Sequence, residues 1–202
     1  MGSGATLPVI LLLVILIVSW QLVYTANKDL VRTKAWGYFG RRLLPYAILV
    51  LMALSLFFIR SVQQEWALMT WAGVFAVAVI ASNIFSSPAA ERRANRAFRR
   101  KDYEDAAEQY RLLVQSAPLA RHYTFLSAAL AATERYEEAA EAATEAIRRD
   151  PEYGLAYYNR AMVERRLGHK GRAIKDLRRS LEADLPRRFK GNVHAVLEEM
   201  TS

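Results

Sequence analysis

Hydrophobic positions are distributed in two ways along the chain. As far as residue 85 they form long unbroken runs; beyond it they recur at helical spacing among charges. The first run, LPVILLLVILIVSWQLVYTA over 7–26, holds no charge, and at about 1.5 Å per residue it matches a hydrocarbon core of about 30 Å. A second run, LLPYAILVLMALSLFFI over 43–59, tolerates Pro45 in its first turn; a third, WALMTWAGVFAVAVIASNIF, covers 66–85. The pattern predicts three transmembrane helices, about 7–26, 43–62 and 66–85. A cleaved signal peptide is the rival reading of the first, opposed by the lack of a positive charge ahead of the run and by its length.

Charge sharpens the division. Residues 1–85 hold six of the 28 Lys and Arg and two of the 20 Asp and Glu, and the remainder lie in 86–202. Lys28, Arg32, Lys34, Arg41 and Arg42 lie between the first two runs; Arg60 and Glu65 lie between the second and third; and Arg92, Arg93, Arg96, Arg99, Arg100 and Lys101 follow the third. By the positive-inside rule this alternation places the N-terminus out and the C-terminal half in the cytoplasm, with a bacterial inner membrane as the expected compartment. No carboxylate, lysine or histidine lies within the runs, so they offer no proton or ion path. Ala72, Gly73, Ala76, Ala78 and Ser82 provide small residues for close helix packing, either among the chain's own helices or on another integral membrane protein.

Beyond residue 85 the chain repeats itself. Tyr103-Glu-Asp-Ala106, Tyr136-Glu-Glu-Ala139 and Lys170-Gly-Arg-Ala173 recur at spacings of 33 and 34, and Pro118, Pro151 and Pro186 at 33 and 35. Each unit reads as a helical run, a short polar turn, and a second helical run closed near a proline. Tyr123, Leu126, Ser127, Tyr136, Ala139, Ala146 and Pro151 give the fullest pattern. Ala94, Asp102, Tyr103, Ala106, Tyr110 and Pro118 carry it in the first unit, and Tyr157, Ala161, Gly168, Ala173 and Leu177 in the third. On these residues the C-terminal half resembles the tetratricopeptide repeat (TPR) family, with repeats at about 88–118, 120–151 and 154–185. After Pro186, Phe189, Val193, Val196, Leu197 and Met200 share one helical face, the pattern of a capping helix at about 187–200. The expected fold is all-α, with a membrane domain over 1–85 and a TPR-type α-solenoid over 86–202.

Candidate chemistry is sparse. With no cysteine, thiolate metal sites, iron–sulfur clusters and cysteine nucleophiles are excluded. His122, His169 and His194 show no ligand spacing, and no P-loop, nucleophile elbow or HExxH motif occurs. No catalytic residue, metal or cofactor is expected. The resemblance instead implies a groove lined by the first helix of each repeat. Transferred to this chain, its positions are Glu91, Asn95, Phe98 and Arg99; Thr124, Ala128, Ala131 and Ala132; and Leu155, Tyr158, Met162, Arg165 and Arg166. The clamp by which some relatives grip a chaperone's C-terminal carboxylate would fall on Glu91, Asn95, Phe125, Leu155 and Asn159, of which Asn95 alone keeps the family residue. An apolar peptide or helix with acidic flanks is the expected occupant.

Arg92, Arg93, Arg96, Arg100 and Lys101 are expected to contact lipid headgroups, each adding about 1 kcal/mol near an anionic surface. Nucleic acid is not expected, because acids are interleaved through the same half. The chain therefore reads as a membrane-anchored scaffold that recruits a protein for assembly, stability or localisation of a membrane complex. The alternative is an accessory subunit of a transport, respiratory or photosynthetic complex whose helices carry the function. The sequence leaves self-association open.

Overall fold

The computed structural model describes residues 14, 17–18, 20–59 and 65–201. The chain divides into two compact units, Met1–Pro88 and Ala89–Ser202. Within the first, helical backbone over 20–26 leads to α1 (Lys28–Arg32), α2 (Trp36–Ile59) and α3 (Glu65–Phe85). Val23, Asn27, Asp29, Leu30 and Phe39 are buried, and the Phe39 ring meets Trp20 and Trp36 edge-on, each at 6.3 Å. Helices α2 and α3 pack together, joined by a 2.8 Å hydrogen bond from Trp71 Nε1 to Ser55 Oγ. The Ala72, Gly73 and Ala76 positions are exposed, Ala78 is half-buried, and Ser82 is buried with its hydroxyl donating to the Val79 carbonyl at 2.8 Å. The aromatic pair Trp71 and Phe75 stacks at 5.4 Å.

The expectation of three membrane-spanning helices is corrected: among the described residues, no helix is long and apolar enough to cross a membrane. Much of the 7–26 run, together with 60–62, lies outside the described residues. In α2 the first turns are spent on Gly37, Gly40, Arg41 and Arg42, so its charge-free part starts at Leu43 and reaches only about 25 Å by Ile59. The described side chains of α3 include the polar or small Thr70, Gly73 and Ser82. A bilayer core needs about 30 Å. The membrane domain, the integral-membrane location and the inferred orientation are withdrawn with the spans.

The second unit is an all-α solenoid of three helical hairpins and a closing helix. The hairpins are α4 (Ala89–Arg99) with α5 (Tyr103–Ser116), α6 (Ala120–Ala132) with α7 (Tyr136–Arg149), and α8 (Gly154–Arg166) with α9 (Lys170–Glu182); α10 (Arg187–Thr201) follows. Alanine dominates where helices cross: Ala94, Ala106, Ala129, Ala139, Ala143, Ala146, Ala161 and Ala173 are fully buried. A small side chain there allows close packing of helix backbones, and alanine also favours helix intrinsically. Acids open the second helices (Glu104 and Asp105 in α5, Glu137 and Glu138 in α7), and Arg148 and Arg149 close α7, as the helix dipole favours.

One turn geometry joins the helices of every hairpin. Lys101, Glu134 and Gly168 take left-handed φ values of 63°, 61° and 80°. The next residue's N–H bonds back to the first helix: Asp102 to Ala97, Arg135 to Leu130 and His169 to Glu164, at 3.1, 2.9 and 2.8 Å. These bonds satisfy carbonyls that the helix end leaves open. The N-terminal unit uses the same local device, with Lys34 at φ 56° and Ala35 N–H on the Leu30 carbonyl at 2.8 Å.

Stacking is completed at the third hairpin. A Cβ on Gly154 would lie 2.6 Å from the Leu185 nitrogen, so only glycine lets the start of α8 meet the chain leaving α9; beside it, Asp184 N–H bonds to the Glu152 carbonyl at 3.0 Å. The last core comprises Ala161, Ala173, Leu177 and Leu185 with Val193, Val196 and Met200 from α10. That helix closes the apolar end which a terminal repeat otherwise exposes.

Candidate protein-binding site

The residues proposed to line a groove fall into three groups, set by their helices and by what packs beside them. In α4, the Asn95 side-chain oxygen accepts a 2.6 Å hydrogen bond from Tyr110 of α5. Burial, with the Glu91 carboxylate as the next cause, pushes the Tyr110 phenol well above its ordinary range, so it stays a neutral donor. The Phe98 ring lies edge-on to Tyr103 and Phe125 at 5.5 and 5.6 Å, and Phe125 stacks on Tyr110 at 5.6 Å. Asn95 and Phe98 are half-buried, whereas Arg99 is exposed.

Glu91, by contrast, is buried. Its Oε2 lies 4.0 Å from His122 Nε2, and His122 Nδ1 is 2.8 Å from the Ala117 carbonyl, so both side chains belong to the packing between the first and second repeats. In the middle repeat Thr124 is also buried; its hydroxyl donates to Ala120 at 2.8 Å, and its carbonyl accepts the Asn159 amide of α8 at 2.9 Å. Ala128 and Ala131 are half-buried and Ala132 is exposed.

The third group is engaged by α10. Leu155, Tyr158 and Met162 pack on the terminal core. The Tyr158 hydroxyl accepts from Asn192 Nδ2 at 2.6 Å, and its ring lies 5.3 Å from Phe189. Arg165 Nη1 meets Glu199 Oε2 at 3.3 Å, while Arg166 stands exposed. The structure therefore gathers Asn95, Phe98 and Arg99 around an aromatic cluster, and Leu155, Tyr158, Met162 and Arg165 against the closing helix. Asn192 and Glu199 escaped the sequence reading, because their partners lie 34 residues away. A pairing of His122 with Glu91 carried no signal in local spacing.

Ion pairs away from this face brace the solenoid. Arg160 grips Asp176 with two hydrogen bonds, of 2.7 and 2.8 Å, and these hold the guanidinium's proton more firmly than usual. Arg149 and Arg179 each lie about 5.7 Å from a first-helix tyrosine ring, Tyr123 and Tyr157, and 3.5 Å from the carbonyl of a repeat-closing proline, Pro118 and Pro151. His169 Nδ1 and Arg172 Nη1 meet the buried Glu164 carboxylate at 2.6 and 3.4 Å, tying the last turn. Among the described residues no group of His, Asp and Glu is arranged to hold a metal ion.

A family model described as tetratricopeptide repeat matches residues 120–153 and 155–186. A comparison with curated proteins finds no match. Among solved structures, the TPR2B domain of yeast Sti1, described as a complex with pHsp70, aligns with a TM-score of 0.52 at 22% identity, covering 55% of this chain and 93% of that one. The first TPR of Spaghetti (RPAP3), bound to the HSP90 peptide SRMEEVD, aligns at 0.51 and 21% identity, covering 55% and 87%. The Sgt2 TPR domain from Aspergillus fumigatus aligns at 0.50 and 24% identity, covering 57% and 78%. The C-terminal unit is a solenoid of tetratricopeptide repeats.

Proposed function

We propose that residues 89–202 form a protein-binding scaffold, without catalytic activity of their own, that recruits a partner into a larger assembly through the first helices of its repeats. The observation that carries this reading is a TPR solenoid with polar and aromatic groups left accessible on those helices: half-buried Asn95 and Phe98, and exposed Arg99 and Arg166. Two of the aligned domains are described as bound to chaperone segments, which supports an extended peptide as the class of occupant. The preferred segment combines an apolar anchor for the Phe98 cluster with acidic residues for the arginines. A chaperone C-terminal carboxylate is a poor match, since Glu91, Phe125 and Leu155 stand at clamp positions. The alternative that the N-terminal helices carry the function in a membrane complex relied on the spans corrected above and is set aside.

The test is affinity purification of the full chain from its host with mass spectrometry, beside a variant carrying Arg99→Glu and Arg166→Glu. Both side chains are exposed, so the variant is expected to fold. Tyr158 and Arg165 are left intact because they hold α10. Selective loss of a partner from the folded variant supports the reading; an unchanged set of partners overturns the groove assignment.

A further inference from the structure

The first helix of the solenoid carries an arginine-rich outer face. At about 100° per residue, Arg92, Arg93, Arg96 and Arg100 fall within roughly a third of the circumference of α4 and its continuation, and Ala94 and Ala97 face the buried side. Arg93, Arg96, Arg100 and the adjoining Lys101 are exposed and form no ion pair among the described residues. Several arginines of the later repeats are occupied, Arg135 with Glu138, Arg160 with Asp176 and Arg179 with Glu152, whereas Arg166 and Arg178 are exposed. Placing like charges side by side without acids is unfavourable in the free protein, and the repulsion is relieved when a polyanion arrives.

From this face we infer a docking surface for anionic phospholipid headgroups. Guanidinium groups pair with phosphate through two parallel hydrogen bonds. A row of them along one straight helix presents charge to a flat surface. Nucleic acid fits less well, because Asn95 and Phe98, which alternate with these arginines along the chain, are taken up by Tyr110 and by Tyr103 and Phe125, leaving no side chain on this face to stack on or read bases. A separate observation favours lipid over an acidic protein. The N-terminal unit exposes Trp66, Met69, Val74, Val77 and Ile80 on α3, and a bilayer interface is the polyanionic surface that also accepts apolar side chains. Interfacial contact of this kind requires no spanning helix.

The experiment is flotation of the full chain with vesicles of phosphatidylcholine alone and with vesicles containing phosphatidylglycerol. Apolar contact contributes to both, so the quantity read is the anionic preference. The parent protein is expected to favour phosphatidylglycerol and to lose that preference in high salt. A variant with Arg93→Gln, Arg96→Gln and Arg100→Gln is expected to lose on the order of a hundredfold of it, about fivefold per residue. Lysine at the same three positions is expected to retain most of it, which separates charge from folding. Equal partition of the parent protein between the two vesicles overturns the proposal whatever the variants do. So does an undiminished preference in the glutamine variant, or a DNA duplex that binds the face more tightly than the vesicles and displaces them. Arg99 and Arg166, the positions changed in the groove test, are left as arginine here, so the two tests alter different residues.

Discussion

Replacing Arg160 by Met should unsettle the third repeat more than any surface substitution. The guanidinium donates from Nε to Asp176 Oδ2 at 2.7 Å, from Nη2 to Oδ1 at 2.8 Å and from Nη1 to Thr144 Oγ1 at 3.1 Å, and lies 5.8 Å from the Tyr157 ring centroid. The Asp176 side chain is 8% exposed and that of Arg160 22%. With arginine gone, Asp176 keeps its place inside the helix packing but loses the charge that compensates it. Breaking such a pair from one side costs about 3–5 kcal/mol. Removing both charges, with Arg160→Met and Asp176→Leu, should recover at least half of that, because the pair's own desolvation cost disappears too. The four tryptophans, at 20, 36, 66 and 71, all precede the solenoid, so urea unfolding of the repeats is followed by far-ultraviolet circular dichroism rather than tryptophan emission. A loss below about 1 kcal/mol in Arg160→Met, or a double variant no more stable than the single, would refute the claim that a buried carboxylate depends on this arginine.

Four further outcomes follow from particular contacts. Gly154→Ala forces a Cβ to within 2.6 Å of the Leu185 backbone and should lower stability by about 1–3 kcal/mol in the same urea titration. Glu134→Gly should stabilise by roughly 0.5–1 kcal/mol by relieving a left-handed residue, whereas Gly168→Ala should destabilise by about as much; equal signs for the two would contradict the shared turn geometry. Ser127→Ala removes a fully buried hydroxyl that has no hydrogen-bond partner among the described residues and should raise the thermal midpoint slightly, by the equivalent of about 1 kcal/mol. Acid should weaken the middle repeat: Arg148 and Arg149 hold the Glu145 carboxyl, and Arg135 holds that of Glu138, below the ordinary value of 4.5. Their stabilisation is complete above that value and is lost as pH falls through the lower folded values. Because the pairs are largely solvated, the thermal midpoint should fall only modestly below pH 4.5, and less in high salt.

The repeats were legible in the sequence because their determinants are local and periodic. Tyr, Ala and Pro recur every 33 to 35 residues, and the buried alanines sit where that period puts them. The turns were legible by composition in one hairpin alone: Gly168 advertises a left-handed residue, but Lys101 and Glu134 adopt the same φ without the chemistry that marks it. Arg160 was harder still, since it follows Tyr157 where the middle repeat has Leu126 after Tyr123, and only Asp176 across the hairpin explains a charge there. For the second N-terminal run, freedom from charge did not amount to enough length. Arg41 and Arg42 take up part of α2, leaving about 25 Å for its apolar portion.

The same limitation shapes the candidate groove. Helical periodicity says which residues share a face and nothing about what covers it. Tyr158, Met162 and Arg165 occupy positions equivalent to Glu91, Asn95 and Phe98 on α4, yet they differ in environment because a helix follows the third repeat. With Tyr158 bonded to Asn192 and Arg165 to Glu199, substitutions at these residues report first on how α10 is held. Under the proposed function, substitutions at Arg99 should report on binding, since its side chain is exposed and makes no ion pair among the described residues. The two ends of the solenoid thus follow different physics: burial of apolar area by Val193, Val196 and Met200 at one end, and an arginine-coated helix at the other. A partner gripped along the first helices meets fewer committed side chains toward α4, and that is where affinity should respond most to substitution.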